Sequence, residues 1–392
     1  MKRSRYTVLI SGMLIQLCAG IIYMWSVFKG PVSAHLSWDA AAAGYTSSIM
    51  LAAFVLGILI GGRAQDSLGP KKVTIAGSVL IGAGMSLTAL VSPQMPWLLY
   101  LTYGILGGFG VGCVYTCTVA VVQKWFPDRR GFATGMIVGA FGFSLVIFSP
   151  SAKFLLDSIG VPLTFAVFAV AFLLICIPCA TLINPPEPSE LPAAKSSAAA
   201  VKKSYAPAEM VKTRQFLTLF LSMMFLLATY FIINPQLIDL AKQNGLEESL
   251  VTLPVMIIGI ASASGRLLLS WLSDRIGRKS TMLIICVITL ISALLLMIPG
   301  LPLFFVCIVG IAFAFGGSSG VYAAATADNF GTKHAGVNFG CVIIAFGLSA
   351  LISPLIAAKI PGSAGSFIFA GCCAAVALAC VMLYRPISAK AK

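Results

Sequence analysis

Apolar residues run through this chain in blocks of about twenty, with polar and charged residues gathered between the blocks rather than alternating within them. Wound as a helix rising ~1.5 Å per residue, a block of that length covers the ~30 Å hydrocarbon core of a bilayer. Twelve such spans are predicted: 6–28, 40–62, 73–92, 97–123, 131–156, 161–183, 215–238, 250–272, 280–299, 301–325, 335–358 and 362–384. The first follows Lys2, Arg3 and Arg5 and superficially resembles a secretory signal. It is longer than the ~7–15 apolar residues of a signal core, and its candidate cleavage site, Val32-Ser33-Ala34, lies beyond Lys29, so it counts as a span. The pattern predicts an all-α polytopic membrane protein.

The stretch from Asn184 to Arg214 interrupts the pattern at mid-chain. Pro185, Pro186 and Pro188, then an Ala/Ser/Lys run through Lys203, lack the apolar content of a folded domain, which makes it a linker. The expected organisation is a six-helix bundle over 1–183, a cytoplasmic linker over 184–214 and a second six-helix bundle over 215–392. The two halves repeat. GRAQDSLGPKK (62–72) follows the second span and SWLSDRIGRK (270–279) the eighth, placing Asp66 and Asp274 208 residues apart. Ala140-Phe141-Gly142 with Ser149-Pro150 recurs as Ala345-Phe346-Gly347 with Ser353-Pro354, at separations of 205 and 204. A repeat of this kind points to two similar bundles with a site at their midplane interface.

Composition sharpens the class. Apolar residues make up 59% of the chain and charged ones 10%, against ~25% charged in soluble domains. The net charge of +14 could suggest nucleic acid, but the basic residues sit at the ends of apolar blocks and form no stripe with interleaved aromatics. They read as topology signals. If the N-terminus is cytoplasmic, 21 of the 26 Lys and Arg fall in inner segments and only Lys29, Lys153, Lys242 and Lys359 in outer ones, which places both termini in the cytoplasm. A multi-pass protein of the cell's inner (plasma) membrane is expected, acting as a monomer in contact with the lipid bilayer. All eleven cysteines lie inside apolar blocks, so no disulfide framework is implied, and Cys176-x-x-Cys179 reads as helix packing. His35 and His334 lie in loops and suggest neither a metal nor a proton relay. No cluster at catalytic or metal spacing occurs in the spans, so no enzyme, metal or cofactor is expected.

One charge breaks the pattern. Arg266 is the only charged residue between Ser249 and Ser273, in LPVMIIGIASASGRLLLSWLS, and no Asp or Glu lies in any drawn span. A charge at that depth costs at least ~2.5 kcal/mol, which makes it a functional hypothesis by default. Its planar fork of donors fits a carboxylate in a bidentate way and keeps its charge in a site of low dielectric. The alternative is that Arg266, eight residues before Asp274, snorkels to the membrane surface. Gln16, Tyr23, Tyr115, Asn234 and Tyr322 are the polar and aromatic residues in otherwise apolar spans that could close a site around it.

With these residues in place, the chain resembles the major facilitator superfamily over nearly its whole length. The inner-loop motif of that superfamily, Gly-x-x-x-Asp-Arg-x-Gly-Arg-Lys, is matched at Asp274, Arg275, Gly277, Arg278 and Lys279, with Ser270 in place of the leading glycine. The first copy keeps Gly62, Asp66, Gly69 and Lys71. The resemblance implies a conformational latch built on Asp66, Asp274, Arg275 and Arg278, each aspartate pairing with a facing helix end and nearby arginines. Within the superfamily the chain is similar to the oxalate:formate antiporter family and the monocarboxylate transporters, through Ile22-Tyr23-Met24-Trp25-Ser26-Val27-Phe28, Gly69-Pro70-Lys71, Lys124-Trp125-Phe126-Pro127-Asp128-Arg129-Arg130-Gly131 and Gly265-Arg266.

In those relatives the arginine at the position of Arg266 binds the substrate carboxylate. Two departures narrow the expected substrate. Phe346 stands where oxalate antiporters carry a second cation, and Ser262 where proton-coupled carriers often carry an aspartate. A single fixed cation fits a monocarboxylate such as lactate, pyruvate or formate, exchanged for another anion or moved with a proton bound elsewhere. Lys153 or Lys359 supplies a second cation if either reaches further inward than drawn. Alternating access around a central anion site is the implied mechanism. A receptor that senses the anion without moving it is the alternative from another class, and net substrate flux separates the two.

Overall fold

The computed structural model describes residues 4–187, 190, 204–247, 250, 253–357, 359, 360 and 362–387. About half of the expected linker, residues 188, 189 and 191–203, and the basic residues of both chain ends other than Arg5 and Arg385, lie outside the described residues. Among those described there are helices and no strands, as the apolar blocks require. In chain order the helices are α1 (Arg5–Ala19), α2 (Trp25–His35), α3 (Ala40–Leu68), α4 (Pro70–Thr88), α5 (Gly108–Trp125), α6 (Arg130–Ala180), α7 (Pro207–Met210), α8 (Arg214–Ile233), α9 (Leu237–Gln243), α10 (Leu253–Ile276), α11 (Arg278–Leu295), α12 (Leu301–Phe330), α13 (Ala335–Ala357) and α14 (Gly362–Leu383).

Among the described residues, ten helical segments are long and apolar enough to cross a membrane. Helix α6 contributes two spans, because Gly160 inside it has φ 75° and ψ 178°, a left-handed break that only a residue without Cβ adopts readily. Helix α4, at 19 residues, supplies the remaining one and completes the twelve expected.

Three spans depart from continuous α-helix. The first breaks after Ala19 into a tight turn over Gly20–Tyr23 before α2 resumes. A Cβ on Gly20 would collide with Ser144 and the Phe141 carbonyl, so a close approach of another helix accompanies the break. The seventh tightens at Asn234–Gln236 between α8 and α9, where Pro235 cannot donate a helical hydrogen bond. The fourth opens with a widened turn over Tyr100–Gly107 before α5.

The chain forms two compact units. One comprises Met1–Asp128, Ala140–Ala199 and Thr332–Gly340, and the other Arg129–Gly139, Ala200–Gly331 and Cys341–Lys392. Each sequence half thus gives the start of one helix to the other unit: the first turns of α6 go with the second half, and those of α13 with the first.

Inside the units the repeat is visible in the packing. Gly57 of α3 lies against the Phe109 carbonyl and Gly112 of α5 against the Phe54 carbonyl. In the second unit Gly265 of α10 lies against the Phe313 carbonyl and Gly316 of α12 against the Ser262 carbonyl. These are the same two contacts, 208 residues on along α3/α10 and 204 along α5/α12. At each, backbone meets backbone so closely that a side chain has no room, the small-residue packing expected where helices gain nothing from the hydrophobic effect. The loops match as well: Gly69 (φ 86°) and Gly277 (φ 91°), also 208 apart, turn the chain from α3 into α4 and from α10 into α11.

Candidate functional site

The residues expected to form the site divide between the two units. In the first, α1 and α5 bring Gln16 and Tyr115 together. Gln16 is fully buried, and its Nε2 donates to Thr118 Oγ1 at 2.6 Å and to the Tyr115 carbonyl at 3.4 Å. The Gln16 Oε1 has no hydrogen-bond partner among the described residues. The ring of Tyr115 meets Phe54 and Phe141 edge-on at 5.5 and 5.3 Å, and Tyr23, in the tight turn after α1, meets the same Phe141 at 5.2 Å. Gln16, Tyr23 and Tyr115 therefore form one polar-edged aromatic cluster, and the break in the first span places Tyr23 in it.

In the second unit Arg266 sits on α10, 5% exposed, with Nη1 donating to the Val138 carbonyl of α6 at 3.5 Å. Helix α6 comes this close because Gly131, Gly135 and Gly139, one per turn, face α10 at Ser270, at Ser270 with the Arg266 carbonyl, and at Leu267 respectively. The repeat position of Arg266 in the first half, 208 residues earlier, is Ile58, so the buried cation belongs to one half only. Tyr322 does not present a free hydroxyl: it is fully buried and donates to Ser222 Oγ of α8 at 3.0 Å, tying α12 to α8 as Gln16 ties α1 to α5. Asn234 is exposed at the turn between α8 and α9.

The positions that narrowed the substrate are also placed. Phe346 packs edge-on against Phe231 at 5.3 Å and lies 6.2 Å from Phe315, whose ring stacks on Tyr230 at 3.8 Å. Lys153 and Lys359 are exposed. A cavity of about 380 Å³ lined by Gln236, Asp239, Gln243 and Ser366, among others, contains none of the expected site residues.

The latch residues make a sharper arrangement. The first N–H groups of a helix have no partner within it, and in α6 those of Gly131 and Phe132 donate to Asp274 at 2.8 and 2.6 Å. The same carboxylate pairs with Arg278 at 2.6 Å. The Arg278 Nε reaches Asp328, at the end of α12, at 2.8 Å, and Arg130 pairs with the other oxygen of Asp328 at 2.7 Å. Two carboxylates, two guanidiniums and a positive helix end thus close one charge-balanced clasp. Arg275 is not part of it: its guanidinium stacks 4.0 Å over the Trp271 ring. In the first unit Asp66 meets His334 Nδ1 at 3.3 Å, at the start of α13.

Sequence reasoning missed Arg130, Asp328 and His334. Adding the repeat interval to Asp66 and Asp274 does not find them. The available signal was that Arg129, the neighbour of Arg130, and His334 are 205 apart, the interval of the Ala-Phe-Gly repeat that follows them in both halves.

Two bundled, glycine-packed repeats with a matched pair of loop clasps are the expected architecture of one superfamily, and its sequence profile settles the assignment: the Major Facilitator Superfamily profile matches residues 8–235 and 219–392. The chain belongs to the major facilitator superfamily.

This superfamily member is 31% identical to the uncharacterized MFS-type transporter YhjX of Escherichia coli K12, across 89% of this chain and 87% of that protein. It is 28% identical to the oxalate:formate antiporter of Oxalobacter formigenes, across 84% of this chain and 78% of the antiporter. Its fold matches that of the transporter FucP in the outward conformation with a TM-score of 0.74, at 15% identity, across 98% of this chain and all of that one. It is a multi-pass membrane transporter, and its relatives are transporters rather than enzymes.

Proposed function

We propose that the protein is a secondary transporter of small monocarboxylate anions, of the size of lactate, pyruvate or formate, working by alternating access with Arg266 as the receiver of the carboxylate. The single observation that carries the reading is a buried guanidinium on α10, present in one half of the repeat and replaced by Ile58 in the other. A fork already held by a backbone carbonyl loses little freedom when a carboxylate arrives, and two parallel charge-assisted bonds fix the anion's orientation. The aromatic surroundings of Phe346 support one cation rather than two, hence one carboxylate. Gln16, Tyr23, Tyr115, Asn234 and Tyr322 are the expected companions of Arg266 in binding. Alternation would break and remake the contacts of α6 with α10 and of α13 with α3. Two six-helix bundles over 1–183 and 215–392 joined by the linker, cytoplasmic termini, an inner-membrane location and a monomer complete the reading.

A second reading, exchange of oxalate for formate, is favoured by the likeness to the antiporter named above. Uptake of labelled lactate, formate and oxalate into liposomes carrying the purified protein, with and without internal anion and a pH gradient, separates them. Monocarboxylate uptake that Arg266→Gln abolishes in a folded protein is the expected result. Undiminished uptake by that variant removes Arg266 from the site, oxalate uptake driven by internal formate favours exchange, and binding without flux marks a receptor.

A further inference from the structure

The two clasps are related by the repeat but differ in chemistry. Gly131 and Gly135 of α6 correspond, 205 residues on, to Gly336 and Gly340 of α13. Both pairs do the same job: Gly336 presses on Gly62 and Gln65 of α3, and Gly340 on Ile58 and Leu59, as Gly131 and Gly135 press on α10. Asp66 corresponds to Asp274. At the other charged positions the match ends: at that same 205-residue interval His334 corresponds to Arg129 and Arg130 to Ala335, while Arg278 corresponds to Pro70 and Asp328 to Lys124. One helix start is therefore held by two carboxylates and two guanidiniums, and the other by a carboxylate and an imidazole.

We propose that the Asp66–His334 contact is a proton-operated fastener for the start of α13, and that the Asp274–Arg278–Asp328–Arg130 clasp on α6 is its proton-insensitive twin. With His334 protonated, Nδ1 carries a hydrogen and the ring a charge, and both draw it to the Asp66 carboxylate. With the ring neutral the charge is lost, and in one tautomer the hydrogen as well, so the first turn of α13 loosens from α3. The charged groups around the pair are few. Helix α3 brings Asp66 itself and the exposed Arg63, α5 brings Lys124, which interacts electrostatically with Asp66, α4 brings the exposed Lys71 and Lys72, and Lys333 precedes His334 in the chain. Among these residue types histidine is the one whose charge ordinarily changes between about pH 5 and 8. Acidification of the solution bathing these loops tightens the fastener and alkalinisation releases it.

Hydrogen exchange read by mass spectrometry tests this on the whole protein in lipid nanodiscs without substrate, so the result stands whatever anion is carried. Peptides covering 335–340 and 131–136 are compared from about pH 5.5 to 8, after correction for the intrinsic rate. In the wild type, opening of 335–340 rises about two- to fivefold across the range, the effect of a partly exposed ion pair, while 131–136 stays constant. His334→Arg holds 335–340 closed at every pH, and His334→Gln leaves it open at every pH. Identical pH profiles in the wild type and His334→Gln, or a parallel rise at 131–136, overturns the proposal.

Discussion

Arg266 and Ile58 occupy equivalent places on α10 and α3, one step beyond the glycines, Gly265 and Gly57, that let each helix approach its neighbour. The proposed anion receiver is thus a single side chain. Arg266→Lys keeps the charge and loses the fork, forfeiting one of two charge-assisted bonds worth about 1.5–3 kcal/mol. The expected outcome is a rise in KM of about tenfold or more for monocarboxylate uptake, with folding unchanged by thermal melting. Phe346→Lys adds a second cation among Phe231 and Phe315, and the ratio of oxalate to formate uptake should rise; an unchanged ratio would place that side chain away from the anion.

At this scale the sequence was legible where a residue type is rare and opaque where partners are chosen by folding. One arginine in an apolar span stands out by itself. That Arg275 would stack on Trp271 while Arg278, three residues on, joins Asp274 and Asp328 depends on which way the end of α10 turns at Gly277.

Among elements, the clasp on α6 joins a helix start to the end of another helix, and its parts can be removed one at a time. Asp274→Asn takes the charge from the bonds to Gly131 and Phe132 and from the pair with Arg278. The start of α6 should lose about 1.5–3 kcal/mol of local stability, read as faster hydrogen exchange at 131–134, with the 335–340 segment unaffected. Gly316→Val and its mate Gly112→Val should each cost about 1–3 kcal/mol through overpacking against a backbone carbonyl, and melting of the detergent-solubilised protein reports it. Matching losses at the two sites support the repeat as a structural one; a loss at one alone would break it.

The number and order of spans were readable because hydrophobic length is a direct consequence of bilayer thickness. The breaks at Gly20–Tyr23 and Asn234–Gln236 were not, since a change of hydrogen-bond step within an apolar run leaves hydropathy untouched. The boundary between the fifth and sixth spans, drawn at 157–160, does fall at the break at Gly160.

On the scale of the whole molecule, the repeat organises everything except the charge. Packing glycines, turn glycines and the clasp aspartates recur at 204 to 208 residues, while Arg266, Arg129, Arg130, Arg278 and Asp328 are answered by Ile58, His334, Ala335, Pro70 and Lys124. Two copies of one scaffold differ in chemistry: one carries a buried arginine and a clasp of two carboxylates and two guanidiniums, the other a carboxylate–imidazole contact.

The exchange of helix starts has a consequence for assembly. Residues 129–139 complete a unit built mostly from the second half of the sequence, and 332–340 one built mostly from the first. Cut within the linker and made as two polypeptides, the halves should be short-lived when expressed singly, because the helix start each needs is carried by its partner. Co-expressed, they should rescue one another's abundance and restore uptake, since each then supplies the helix start the other lacks.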